Sequence, residues 1–115
     1  MSELFQRIDT VFLEAADFEA SIKWYIENLN LSIRWRDERM CTFHAGGQTP
    51  FTLLCKDAIK NGVYPVFNLY ANDIYKAHRV LSANGVDVTP IKDYGSVLAF
   101  DFRDLHGNLF HVCNF

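Results

Sequence analysis

Four histidines and three cysteines are the side chains of this chain best suited to acid–base, nucleophilic or metal chemistry. His111 lies in Leu109-Phe110-His111-Val112-Cys113, where the period of two in an extended strand sets Leu109, His111 and Cys113 on one face and Phe110 and Val112 on the other. A neutral imidazole facing a ligand space both donates and accepts, so it could orient a ligand or act as a general base. The plainer use of such a residue is a hydrogen-bonded histidine in a partly polar pocket, with no catalytic role. His44 closes Met40-Cys41-Thr42-Phe43-His44 and reads as a rim residue, while His78 on a helix and His106 in a turn are predicted to face solvent. Cys41, Cys55 and Cys113 are odd in number, widely spaced and form no C-x-x-C pair. Each lies in an apolar run, so they are expected as small buried hydrophobes rather than as a disulfide framework or a zinc knuckle. Nothing in the sequence pins a nucleophile to a base, so no Ser-His-Asp or Cys-His chemistry can be argued.

Aromatic residues offer a second kind of chemistry, the stacking of a flat ligand. Trp35 sits between two charges in Arg34-Trp35-Arg36, and Tyr94-Gly95 lies in a loop before a strand. A large aromatic in such a setting is a candidate ligand wall. For Trp35 a dimer contact or a surface aromatic is the competing use. Trp24 and Tyr25 belong to a helix, and Tyr25 falls on its apolar stripe, where core packing is expected.

The elements that must position these residues are bounded by composition. The chain has 115 residues, of which 50% are hydrophobic and 15% aromatic, enough to build one core without disulfides and too apolar for a disordered tail. Eleven Lys and Arg against fourteen Asp and Glu give a net charge of −3, with no basic run to follow a phosphate backbone, so nucleic acid is not expected as a partner. No apolar stretch approaches the roughly 20 residues needed to cross a bilayer. The start Met1-Ser2-Glu3-Leu4-Phe5-Gln6 lacks the basic and apolar regions of a secretory signal, and the expectation is a soluble, cytoplasmic protein with no membrane partner.

Sliding the chain against itself reveals a duplicated unit at an offset of 56, which sets Asp17 on Asp73, Ser21 on Ala77, Trp24-Tyr25 on Val80-Leu81 and Asn28 on Asn84. In each half a short extended segment leads to an Asp that can cap a helix. In the first, Arg7 to Leu13 precedes Asp17, and Ile22, Tyr25, Ile26 and Leu29 recur at helical spacing on one face predicted to pack on a sheet. In the second, Val66 to Tyr70 precedes Asp73, the stripe is Ile74, Ala77 and Leu81, and Asn84-Gly85 supplies a stop. Three further extended runs follow each helix. They are Ser32 to Arg36, Met40 to Ala45 and Phe51 to Cys55, then Val86 to Pro90, Val97 to Arg103 and Leu109 to Asn114, with Lys92 to Gly95 and Asp104 to Asn108 as separators. The order is βαβββ twice, an α+β fold of one domain in two modules, 1–61 and 62–115, joined near Asn61-Gly62. Each module covers one sheet face with its helix, so the two sheets are expected to curl around a shared cavity.

The string Asp17-x-x-x-Ser21-x-x-Trp24-Tyr25-x-x-x-Leu29-x-Leu31 resembles the first-module signature of the vicinal oxygen chelate superfamily, which holds glyoxalases, extradiol dioxygenases and bleomycin-resistance proteins. Asn72-Asp73-Ile74 with Leu81 and Asn84-Gly85-Val86 resembles its second-module pattern, and Asp104-Leu105-His106-Gly107-Asn108 its turn before the last strand. The likeness spans nearly the whole chain, and it rests on the order and spacing of these motifs together.

In the metal-dependent members that the resemblance brings in, each module supplies ligands from its first and last strands, His from the first and Glu from the last. Those positions fall here on Thr10 and Thr52, and on Val66 and His111. Of the four, only His111 could bind a metal firmly. The resemblance therefore leans toward the metal-free, ligand-binding branch typified by bleomycin-resistance proteins. The expected function is binding of a small organic molecule with an apolar or aromatic body, for sequestration or sensing, with no cofactor. Its groove, at the module or dimer interface of a homodimer, would be lined by Phe12, Trp35, Met40, Thr52, Tyr94 and His111. The alternatives are a metal-dependent lyase or dioxygenase with unusual ligands around His111, a metal-free isomerase with His111 as base, and a structural dimer whose cavity is filled by Phe12, Leu54 and Leu109.

Overall fold

A computed structural model describes residues 4–47, 49–59 and 63–115. Asn61-Gly62, the expected joint, lies outside them, as does Gln48. The chain forms two compact units, Thr10–Tyr64, and Pro65–Phe115 together with the N-terminal residues up to Asp9.

The first unit contains most of β1 (Arg7–Ala15), then α1 (Phe18–Leu29), β2 (Ser32–Arg36), β3 (Met40–His44) and β4 (Phe51–Cys55). Its strands lie in the order β2-β3-β4-β1, with β4 parallel to β1 and the other pairs antiparallel. The Asp17 carboxylate accepts the Ala20 N–H at 3.1 Å and opens α1, while Asn30 ends it in the left-handed region at φ 55°. Phe18 and Ile22 pack on Ala15, Cys41, Phe43 and Leu53, with Tyr25 beside them. Tyr25 meets Phe43 and Phe51 at ring distances of 5.8 and 5.3 Å. The expected stripe is corrected at its end: Ile26 and Leu29 remain 39% and 50% exposed, and Phe18 takes the burial at the other end. The packed face thus stops one turn short of the helix C-terminus.

The second unit contains β5 (Phe67–Tyr70), α2 (Ile74–Ala83), β6 (Asp87–Val88), β7 (Lys92–Asp93), β8 (Leu98–Arg103) and β9 (Leu109–Asn114). Here β5 is parallel to β9, β8 is antiparallel to β9, and both β6 and β7 pair with β8. The first strand of each unit thus lies parallel to its last, and the duplication read from the sequence is a duplication of topology. Asp73 accepts the Lys76 N–H at 3.0 Å, the counterpart of the Asp17 cap. Ile74 and Ala77 are buried on Ala71, Phe100 and Val112, with Leu81 alongside, and Gly85 at φ 81° lets the chain leave α2. Two expectations need correction. Lys92-Asp93, read as a separator, forms a short strand on β8, and the run expected over Val86 to Pro90 is a strand only at Asp87–Val88. No helix among the described residues is long and apolar enough to cross a membrane.

The β8–β9 turn is held by Asp104, whose carboxylate accepts from Asn108 Nδ2, Asn108 N–H and His106 N–H at 2.8, 2.9 and 3.0 Å. These bonds, that of the Asn108 side chain first, hold its carboxyl below the usual range.

Candidate functional site

In the first unit, the side of the sheet turned away from α1 collects most of the residues singled out from the sequence. Strand register sets Phe12 beside Thr52, Thr52 beside Thr42, and Met40 beside Leu54, and strand alternation puts them all opposite the α1-facing Cys41, Phe43 and Leu53. Trp35 joins them through an irregularity in β2. Ile33 pairs with Phe43 and Trp35 with Thr42, so two steps along β2 match one along β3, a β-bulge at Arg34. The next residue, Arg36, turns to the helix side. Its guanidinium binds Glu19 through two bonds of 3.1 and 2.6 Å and lies 5.4 Å from the Phe18 ring centroid. This bidentate contact fixes the end of β2, and with it the direction of Trp35, which keeps 51% of its surface exposed.

Three threonine hydroxyls run across the same face. Thr42 Oγ1 and Thr52 Oγ1 are 2.8 Å apart, Thr52 Oγ1 and Thr10 Oγ1 3.0 Å, and Thr10 Oγ1 lies 3.1 Å from the Pro50 carbonyl oxygen. A hydroxyl has one proton, and the carbonyl can only accept, so the direction of the chain is set. Thr10 donates to Pro50, Thr52 to Thr10, and Thr42 to Thr52. Thr42 stands at the head of this relay, the register partner of Trp35, with its oxygen still able to accept. It was not singled out from the sequence, although its alternation with Met40 already placed it on that face.

Tyr94 and His111 belong to the second unit. Tyr94 is exposed in the turn after β7, its N–H donating to the Val97 carbonyl at 2.8 Å and the Lys92 ammonium 5.8 Å from its ring centroid. His111 lies on β9, on the side turned away from α2, and its Nδ1 is 2.6 Å from Asp101 Oδ1 on β8. Asp101 is the residue that sequence reasoning missed, and a signal existed. Counting outward from the Asp104–Asn108 turn sets Arg103 opposite Leu109 and Asp101 opposite His111, the register observed. On the same side, Asn68 Nδ2 lies 3.5 Å from Cys113 Sγ, and burial first, then the Asp9 charge, push the Cys113 thiol up to about 12.

Of the other histidines, His44 is exposed at the end of β3 and His106 is exposed in its turn, as expected. His78 is corrected. It is only partly exposed, packs edge-on against Phe100 at 5.0 Å, and its Nε2 lies 2.9 Å from the Thr89 carbonyl oxygen. Cys41 and Cys113 are buried and Cys55 half-buried, all three free.

The four positions that would carry metal ligands present a poor donor set. Thr10 and Thr52 are buried and spend their protons in the hydroxyl relay, Val66 is 66% exposed and has no donor atom, and His111 engages Asp101 through Nδ1. Among the described residues no group of three His, Cys, Asp or Glu side chains could hold a metal ion.

A βαβββ unit and a second one with the short strand β7 added to that order, each with its first strand parallel to its last and one helix on one sheet face, define a class of paired-module α+β proteins. The fold is shared with methylmalonyl-CoA epimerase from Mycobacterium tuberculosis, at a TM-score of 0.76 and 16% identity over 96% of this chain and 89% of that one. It is shared equally with a substituted Streptomyces coelicolor methylmalonyl-CoA epimerase in complex with 2-nitronate-propionyl-CoA, at 0.75 and 17% over 96% and 97%. A glyoxalase/bleomycin resistance protein/dioxygenase superfamily member from Vibrio splendidus 12B01 aligns at 0.63 and 17% over 95% and 98%. A comparison with curated proteins finds none that matches the chain. The family model of the Glyoxalase/Bleomycin resistance protein/Dioxygenase superfamily matches residues 7–112, and the chain belongs to that superfamily.

Proposed function

We propose that this protein binds a small organic molecule without the help of a metal, on the face of the first unit turned away from α1. The observation that carries this reading is the bulge that turns Trp35 onto the Thr42 side of the sheet. A half-exposed indole on the same face as Met40 and, further across the sheet, Phe12 offers an apolar and aromatic wall, and the Thr42 oxygen at the head of the hydroxyl relay accepts one hydrogen bond. A ligand with a flat apolar body and one donor group fits that surface. The relay also supports the metal-free part of the reading, because hydroxyls already committed to each other and to a carbonyl offer little to a divalent cation.

Sequestration or sensing would be the role of such a binder. Two copies are proposed to pair, with the exposed Ile26 and Leu29 at the last turn of α1 as apolar contact surface. Sedimentation velocity checks this: a dimer that dissociates in the Leu29→Glu variant is expected, and a monomer at all concentrations rejects it.

The binding test uses a Trp24→Phe background, which leaves Trp35 as the only indole. Screening flat aromatic molecules, with Trp35 fluorescence as readout, is expected to give saturable responses that survive EDTA and are weakened by Thr42→Val. Saturable binding that leaves Trp35 fluorescence unchanged, or that disappears with EDTA and returns with a divalent metal, rejects the reading.

A further inference from the structure

We propose that Asp101 and His111 form a proton-accepting pair in the second unit, with His111 Nε2 as the base and Asp101 as the positioning residue, serving a ligand with an acidic hydroxyl of the phenol or enol class.

The two residues are direct cross-strand partners on β8 and β9. A carboxylate can only accept, so the 2.6 Å contact places a proton on His111 Nδ1. In the neutral imidazole this leaves the lone pair on Nε2. Nε2 makes no hydrogen bond among the described residues, and the two side chains keep 30% and 38% of their surface accessible. The pair is held from behind. The Asp101 N–H donates to Thr89 Oγ1 and the Asp101 carbonyl accepts the Thr89 N–H, both at 2.8 Å, so the β8 backbone at this residue is pinned on the side away from β9. Cross-strand pairing with β8 and β5 pins His111 in turn.

The surroundings select the proton donor. Next to His111 on this side lie Asn68 on β5 and Cys113 on β9, with Asp9 and the Arg7 guanidinium, 3.5 Å from Asp9, acting on the latter in opposite senses. The Cys113 thiol, pushed up to about 12, stays protonated and neither competes as a base nor acts as a nucleophile near neutral pH. Arg103, two residues along β8, gives its Nη1 to the Gly107 carbonyl at 2.9 Å. With both guanidinium groups so engaged, a ligand that spreads the charge left by deprotonation over its own atoms is favoured. A phenol or enol does this by delocalisation, and one carrying an electron-withdrawing group approaches the acidity of an imidazolium, whereas an aliphatic alcohol or a simple carbon acid fails on both counts. In the step, the ligand O–H bond breaks, its electron pair stays on the ligand oxygen, and the proton forms a bond to Nε2. The resulting imidazolium faces the Asp101 carboxylate, and the ligand is held as its anion.

The probe is 4-nitrophenol, titrated into the full chain at a pH just below its own ionisation, with the phenolate absorbance as readout. A saturable rise in phenolate is expected, reduced about tenfold or more by His111→Gln and by Asp101→Asn and largely restored by Asp101→Glu. Nitrogen-15 spectra of the wild-type imidazole give a second readout independent of variant folding, with His111 becoming doubly protonated as the probe saturates. No saturable phenolate signal, a signal unchanged in a folded His111→Gln variant, or an imidazole whose protonation is unaffected by the probe overturns the proposal. It does not rest on the Trp35 reading. A ligand response at Trp35 with no phenolate signal would leave that reading standing and remove this one.

Discussion

The hydroxyls of Thr10 and Thr52, 42 residues apart in the chain, lie 3.0 Å apart on the parallel strands β1 and β4, both buried. Replacing Thr52 with Val keeps the shape of the side chain but removes the acceptor that Thr42 uses and one of the hydrogen bonds of Thr10. Thr52→Val is therefore expected to destabilise the protein by about 1–3 kcal/mol, measured by urea unfolding. The double change Thr10→Val with Thr52→Val should cost less than the sum of the single ones, because two apolar partners leave fewer orphaned groups.

Removal of the indole in Trp35→Ala deletes the half-exposed aromatic of the proposed ligand face. Affinity for an aromatic ligand found by the fluorescence screen is expected to fall by about 1–3 kcal/mol, measured by calorimetry. The same ligand should bind Trp24→Phe with unchanged affinity. Equal losses at the two tryptophans would show that the indole of Trp35 has no special place in binding.

Cys113 makes alkaline stability a readout of its burial. Its folded value of about 12 stands above the ordinary 9.0, so its contribution is fully present below pH 9.0 and is lost as the pH climbs toward the folded value. The unfolded chain releases the proton first, which drains stability at up to about 1.4 kcal/mol per pH unit in that window. Cys113→Ala should flatten this slope in unfolding curves taken across pH 9.0. Under native conditions, iodoacetamide is expected to modify Cys113 far more slowly than in urea, as followed by mass spectrometry. Cys41, also pushed up by burial, should behave likewise.

The two helix caps should be worth similar amounts, since Asp17 and Asp73 make the same bond at 3.1 and 3.0 Å to the N–H three residues on. Asp17→Ala and Asp73→Ala are each expected to cost about 1 kcal/mol in chemical denaturation, and Asn at either position should restore most of it.

Much of this protein was determined by local sequence. The repeat at an offset of 56, the two Asp caps, the Gly85 stop and the strands at Ser32–Arg36, Phe51–Cys55 and Leu109–Asn114 all follow from short-range periodicity and turn chemistry. These act within a few residues and need no knowledge of partners. The sides taken by Phe12, Met40, Thr52 and His111 were legible for the same reason, because alternation depends only on the strand itself. The tertiary structure decided whatever depends on pairing between distant segments. It placed an extra residue in β2 opposite β3, turning Trp35 toward Thr42, and it joined Thr10, Thr52 and Thr42 into one directed relay. It left Ile26 and Leu29 outside the packed stripe, and it brought Asp101 to His111. Each of these is set by register and by which neighbour reaches a side chain first, and such contacts take a definite form only once the strands have paired.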